Sequence, residues 1–248
     1  FYDEMTSLQG FDESVPWAAQ FFGGAGNEHI KEYGTSVETL AKIRVKASKH
    51  ASKNPFAIFN KEVSEEEVLG SPMIFDPLTR LQCCPPSCGS AAAIICSESF
   101  AKAHNLNTDI FIAGQSMTTD CDSTFTDHDM RKVVGYDMAK KAANEVFEET
   151  GISPKDIKVC ELHDCFTTNE LISYEALGLA DEGEAEKFEK ELILGMGGEV
   201  DDNGELVPGS LDSDSFKEQQ KIKQIVDQVA NKFSLRLLKK VFKNSGFM

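Results

Sequence analysis

Val159-Cys160-Glu161-Leu162-His163-Asp164-Cys165-Phe166-Thr167-Thr168-Asn169-Glu170 sets a histidine, an aspartate and a thiol at three successive positions. Such a group can move protons. A thiol whose pKa is lowered gives and takes one near neutral pH, and a neighbouring N–H donor can support a developing oxyanion. Ile157 to Leu162 alternates like the end of a strand. Thr167 and Glu170 fit a Thr-x-x-Glu capping box, after which Leu171, Ile172, Tyr174, Ala176 and Leu177 supply an apolar helical face closed by Gly178. The motif is therefore expected where a strand hands over to a helix, the usual ligand edge of an α/β sheet. There the helix N-terminus favours a thiolate. On extended backbone, positions i and i+2 share a face. If that geometry persists, His163 and Cys165 pair, while Asp164 turns away to hold the turn. The blander alternative is a buried cysteine acting as a small hydrophobe beside a hydrogen-bonded structural histidine.

The elements that must carry this motif separate into regions. Residues 1 to about 80 read as helices and loops, with Leu40, Ile43 and Val45 on a helix from Val37 to Ser48, and a Ser64/Glu67 capping box opening a short one. Residues about 81 to 183 read as α/β: Ala91 to Cys96 and Ile110 to Ala113 as apolar strands, Asp137 to Thr150 as a helix stopped by Gly151, and Ser153-Pro154-Lys155-Asp156 as a turn. Residues 184 to 215 read as an acidic linker, since Glu199 to Ser215 carries six Asp or Glu, no Lys or Arg, and Gly204, Pro208 and Gly209. Phe216 to Lys243 turns basic, with eight Lys or Arg, and places Ile222, Val226, Val229, Phe233 and Leu237 at helical spacing. That tail reads either as a helix packing on its own domain or as a basic amphipathic helix for a surface or partner.

His163-Asp164-Cys165-Phe166, the following Thr-Thr-Asn-Glu-Leu and Tyr174-Glu175-Ala176-Leu177-Gly178-Leu179 resemble the thiolase part of the sterol carrier protein x type 3-ketoacyl-CoA thiolases. Upstream, Phe22-Gly23-Gly24-Ala25-Gly26-Asn27-Glu28-His29, Glu32-Tyr33-Gly34-Thr35 and Asn54-Pro55-Phe56 resemble that family's loop domain, which covers the acyl-CoA. Leu81-Gln82-Cys83-Cys84-Pro85 and Ala91-Ala92-Ala93-Ile94 resemble the re-entry into the core, and Val134-Gly135-Tyr136-Asp137-Met138 the helix before the catalytic strand. The resemblance covers residues 1 to about 183. It implies a partial thiolase-like α/β fold: the loop domain (1–80), part of the C-terminal half (81–183), the linker (184–215), and a helical tail (216–248) similar to the first helix of the family's lipid-transfer domain.

The resemblance implies acyl transfer between a 3-ketoacyl-CoA and CoA in peroxisomal fatty-acid or sterol side-chain oxidation, with coenzyme A as substrate and no other cofactor. His163 would donate to the thioester oxyanion, and Cys165 would shuttle the α-carbon proton. The family's Asn-Cys-Ala/Ser nucleophile motif does not occur, and none of His29, His50, His104, His128 and His163 precedes a proline, as the family's Gly-His-Pro would require. Beginning at Phe1, the chain is expected to be a piece of a thiolase with an incomplete covalent step. The competing class is a non-enzymatic acyl-CoA or lipid-binding protein. The family is homodimeric, with contacts expected largely outside this stretch.

Composition narrows the partners. A net charge of −16 argues against general affinity for nucleic acid or an anionic membrane. No run of 18 apolar residues occurs, and neither a leader nor a Ser-Lys-Leu type C-terminus is evident, so a cytoplasmic setting is the alternative to the peroxisome. Seven cysteines argue against a disulfide scaffold. Cys83, Cys84 and Cys88 lack paired Cys-x2-Cys knuckles, so no metal site is expected.

Overall fold

The computed structural model describes residues 1–195, 199–200 and 206–207. Two compact units divide the chain, Phe1–Glu189 and Lys190–Met248. The first runs through α1 (Tyr2–Gln9), α2 (Trp17–Tyr33), α3 (Val37–Ala51) and α4 (Glu65–Leu69) into an antiparallel ribbon, β1 (Met73–Phe75) and β2 (Leu78–Thr79). Helices α5 (Glu98–Ala103), α6 (Ser123–Thr126), α7 (Met130–Val133), α8 (Tyr136–Thr150) and α9 (Thr167–Ala176) follow, and α10 (Ala185–Gly195) begins in the first unit. In the second unit β3 (Glu199–Val200) pairs antiparallel with β4 (Leu206–Val207). The residues expected to form the basic tail helix, 216–248, lie outside the described ones.

Several sequence signals act as expected. Ser64 and Glu67 complete a reciprocal capping box on α4, and α8 ends at Gly151, whose φ of 69° is left-handed. Two expectations change. Ala185–Gly195, within the stretch read as linker, is helical, because Ala185 and Glu189 are fully buried and anchor it. Ala91–Cys96, Ile110–Ala113 and Ile157–Leu162 carry the apolar content of strands but join no ladder. Ile94 and Phe111 are each 79% exposed, and Val159 is 61% exposed. A strand forms only when a neighbour answers its N–H and C=O groups, and among the described residues none lies alongside these three. The arrangement is a helix-rich α/β one with small two-stranded ribbons.

Glycine lets α2 sit close to its neighbours. A Cβ on Gly23 would lie 2.5 Å from Phe75 Cδ1, and one on Gly26 would lie 2.4 Å from Thr168 Cγ2, so the glycine face is pressed between the β1–β2 turn and the first turn of α9. On another face of α2, Ala25 packs with Met5, Met130 and Val133.

A buried polar network then locks α9. Lys46 on α3 reaches Glu170 Oε1 at 2.7 Å and Glu189 Oε2 at 2.6 Å, and also donates to the Tyr174 hydroxyl. His29 on α2 bridges Thr35 Oγ1 at 2.8 Å and Glu175 Oε1 at 3.0 Å, and the same carboxylate oxygen accepts the Ala185 N–H. Ser36, the α3 cap, donates from both its N–H and its hydroxyl to Glu186.

Lys46→Met should destabilise the protein by about 3–5 kcal/mol, because it leaves two buried carboxyl groups without their cation; urea unfolding followed by circular dichroism measures it. Gly26→Val should cost about 1–3 kcal/mol by the same assay, since overpacking against buried Thr168 outweighs the small helix-propensity gain over glycine. Unchanged stability of Gly26→Val would mean that α2 and α9 are not in close contact.

Candidate active site

The motif sits where an irregular exposed segment enters α9. Phe166 is the N-cap residue, in extended conformation, and no side chain caps the helix. The expected Thr167/Glu170 capping box therefore does not form. Thr167 is already the first helical residue, and the Glu170 carboxylate is drawn to Lys46 and the Tyr174 hydroxyl instead of back to the cap. A buried ammonium outcompetes a surface cap because charge attraction strengthens as water is excluded.

Cys165 and Phe166 are held from outside their own segment. Phe166 pairs with Cys83 in an isolated antiparallel bridge, and the Cys84 N–H donates to the Cys165 carbonyl at 2.8 Å. Phe166 also stacks on Phe22 of α2, with ring centroids 4.8 Å apart. Together with Ala19 and Leu78, both residues form an apolar cluster. Cys165 is 9% exposed.

That environment reverses the expected titration. Burial first, and the neighbouring Cys84 thiol second, push the Cys165 thiol up to about 11. They outweigh the backbone N–H groups of Phe166 and of Cys165 itself, which pull it down. Desolvation of the charged form wins over the helix N-terminus. Cys165 is a protonated thiol at neutral pH.

His163 and Cys165 are not brought together as an i, i+2 pair. The chain bends at Cys165, so extended geometry does not persist; His163 is exposed while Cys165 is buried. Among the described residues the imidazole of His163 has no hydrogen-bond partner. Its position is fixed through the backbone, since Asn169 Nδ2 donates to the His163 carbonyl. Asp164 is exposed; burial disfavours the charged form of Arg44 on α3, and the Asp164 charge acts against that. At the start of α9 the hydroxyls of Thr167 and Thr168 are buried without a protein partner. The arrangement offers a buried proton donor and an exposed imidazole two residues away. Cys84, Asn169 and Arg44 complete the frame. None of the three has a local pattern that announces its role: Cys84 holds the Cys165 carbonyl through its backbone, and Arg44 lies 120 positions upstream of Asp164.

Comparison with known proteins places this geometry in context. The family model described as thiolase C-terminal domain-like matches residues 121–205. Sterol carrier protein 2 of Rattus norvegicus is 51% identical over 172 residues, which are 69% of this chain and 31% of that protein. The benzoylsuccinyl-CoA thiolase subunit BbsB of Thauera aromatica is 39% identical over 160 residues, 64% of this chain and 40% of that one. Among solved structures, an Ltp2-ChsH2(DUF35) aldolase superposes with a TM-score of 0.59 at 26% identity, covering 72% of this chain and 47% of its own. The chain thus spans about a third of the length of the sterol carrier protein relative.

The raised pKa has a direct chemical readout. Alkylation of Cys165 by iodoacetamide, followed by peptide mass spectrometry, should be slow at pH 7 and rise with pH towards about 11, because the thiolate is the reactive form. A rate already at its plateau at pH 7 would mean an activated thiol instead.

Proposed function

We propose, from a chain that belongs to the thiolase family, that this segment carries the proton-transfer part of acyl exchange between a 3-ketoacyl-CoA and CoA, with Cys165 as the acid/base and His163 as the oxyanion donor. The observation that carries the proposal is the placement of Cys165: a protonated thiol, buried at the entry to α9, with its carbonyl held by Cys84.

In the cleavage direction the bond between C2 and C3 breaks, and its electron pair passes to the α-carbon and the thioester oxygen. His163 donates a hydrogen bond to that oxygen as charge develops. Preorganised donors of this kind lower a barrier by about 3–4 kcal/mol. Cys165 gives its proton to the α-carbon and keeps the S–H electron pair as a thiolate. That thiolate then takes the proton of the incoming CoA thiol, which returns Cys165 to its resting form. A high resting pKa suits this order, because the first task is donation. The acyl group itself needs a nucleophile, and no Asn-Cys-Ala/Ser motif occurs in the 248 residues. Fatty acyl or sterol side-chain thioesters in peroxisomal oxidation are the proposed substrates and setting.

The half-reaction at Cys165 can be isolated. In deuterated buffer the protein should catalyse deuterium incorporation at the α-carbon of a saturated acyl-CoA through the thiolate fraction of Cys165, at a rate that rises with pH towards about 11, read by mass spectrometry. Cys165→Ala should lower the rate about 10²–10⁴-fold, and His163→Ala about 10²–10³-fold. Acyl-CoA binding with no exchange above the buffer rate would sink the acid/base role and select a non-enzymatic acyl-CoA carrier.

A further inference from the structure

The pairing that anchors the motif also sets two thiols opposite one another. Because Cys83 is bridged to Phe166, the next residue on one segment, Cys84, faces the preceding residue on the other, Cys165, and a 2.8 Å N–H to carbonyl bond joins them. Residues joined by such a bond across an antiparallel pairing have Cα atoms about 5.5 Å apart. That lies inside the roughly 4.4–6.8 Å that a disulfide spans. Cys83 lies in the same apolar cluster as Cys165, and its thiol is engaged by the Thr79 carbonyl at 3.4 Å. All seven thiols are free; Cys84 is exposed and Cys165 buried. The two are close enough that charge on Cys84 disfavours the thiolate of Cys165.

We propose that Cys84 and Cys165 form a reversible disulfide under hydroperoxide, with Cys84 as the thiol that meets the oxidant and Cys165 as the thiol that resolves it. The Cys84 sulfur attacks a peroxide oxygen and the O–O bond breaks. The products are a Cys84 sulfenic acid and one molecule of water (an alcohol for an alkyl hydroperoxide). The Cys165 sulfur then attacks the Cys84 sulfur, the S–O bond breaks, and a second water leaves with the Cys165 proton. Two electrons, drawn from the two thiols, reduce one hydroperoxide. Exchange with an external thiol reverses the linkage. While it persists, Cys165 has no proton to give. That consequence rests on the acid/base role proposed above; the linkage itself does not.

Treating the protein with hydrogen peroxide, blocking remaining thiols and digesting with trypsin and a glutamate-specific protease tests it. Cleavage after Glu161 separates Cys160 from Cys165. The peptide bearing Cys165 should be found joined to the one beginning at Leu81, and reduction by dithiothreitol should release it. The joined species should be lost in Cys84→Ser and kept in Cys83→Ser and Cys88→Ser. Cys84 is exposed, so serine there should leave the circular dichroism spectrum unchanged. Linkage of Cys165 to Cys83 or Cys88, or Cys165 still unlinked once Cys84 is fully oxidised, would overturn the proposal. The readout is a covalent peptide pair, so its failure and the failure of the exchange assay are separately visible.

Discussion

Glu170, Tyr174 and Glu175 put three polar side chains of one short helix into the interior, and each must be answered from elsewhere in the chain. Lys46 of α3 answers the first two, Glu189 of α10 shares the same ammonium, and His29 of α2 answers the third. Burial pushes the Glu189 carboxyl above its ordinary range and the Tyr174 hydroxyl upward as well. A network of this kind adds little net stability, because desolvation offsets most of the Coulomb attraction. Its value is orientation. An apolar helix face can rotate a few degrees at small cost, whereas these partners fit in one register only. The direction in which the first turn of α9 presents Cys165 follows from bonds made one to three turns further along.

The same helix shows how two electrostatic effects compete at its start. Unpaired N–H groups at a helix N-terminus stabilise a nearby anion by about 0.3–1 kcal/mol, or about 2 in favourable partly buried sites. A rise of the Cys165 thiol from 9 to about 11 is worth roughly 1.4 kcal/mol per pH unit in the opposite sense. The sum is a thiol that holds its proton until something other than water asks for it.

Much of this was legible in the chain. The His-Asp-Cys-Phe motif, its link to a following helix, the helix ends at Gly151 and Gly178 and the Ser64 capping box all depend on neighbours within a few positions, where sequence spacing and spatial contact coincide. Thr167 and Glu170 had the correct spacing for a cap, yet the cap failed because Lys46 lies more than 120 positions away and no local pattern reveals it. The apolar runs at 91–96, 110–113 and 157–162 have strand composition, but a strand is a property of two segments and only one can be read at a time. The glycines at 23, 24 and 26 were visible as residues of a resemblance; that they are small because Phe75, Gln9 and Thr168 press against them is a fact of packing. The place of Cys84 was hidden for the same reason, since its N–H meets a carbonyl 81 positions further along.

Between Asp164 and Cys165 the chain passes from exposed to buried within a single residue, a step of about 3.8 Å between Cα atoms. The thiol stands close to the solvent boundary while remaining on its dry side. At neutral pH bulk hydroxide and buffer bases find the Sγ proton both poorly accessible and thermodynamically unwilling to leave. In the proposed acid/base role, the base that meets this proton is a carbanion formed beside the sulfur, far stronger than those buffer bases. Position at the boundary therefore sets this thiol apart from the surface cysteines in both access and acidity.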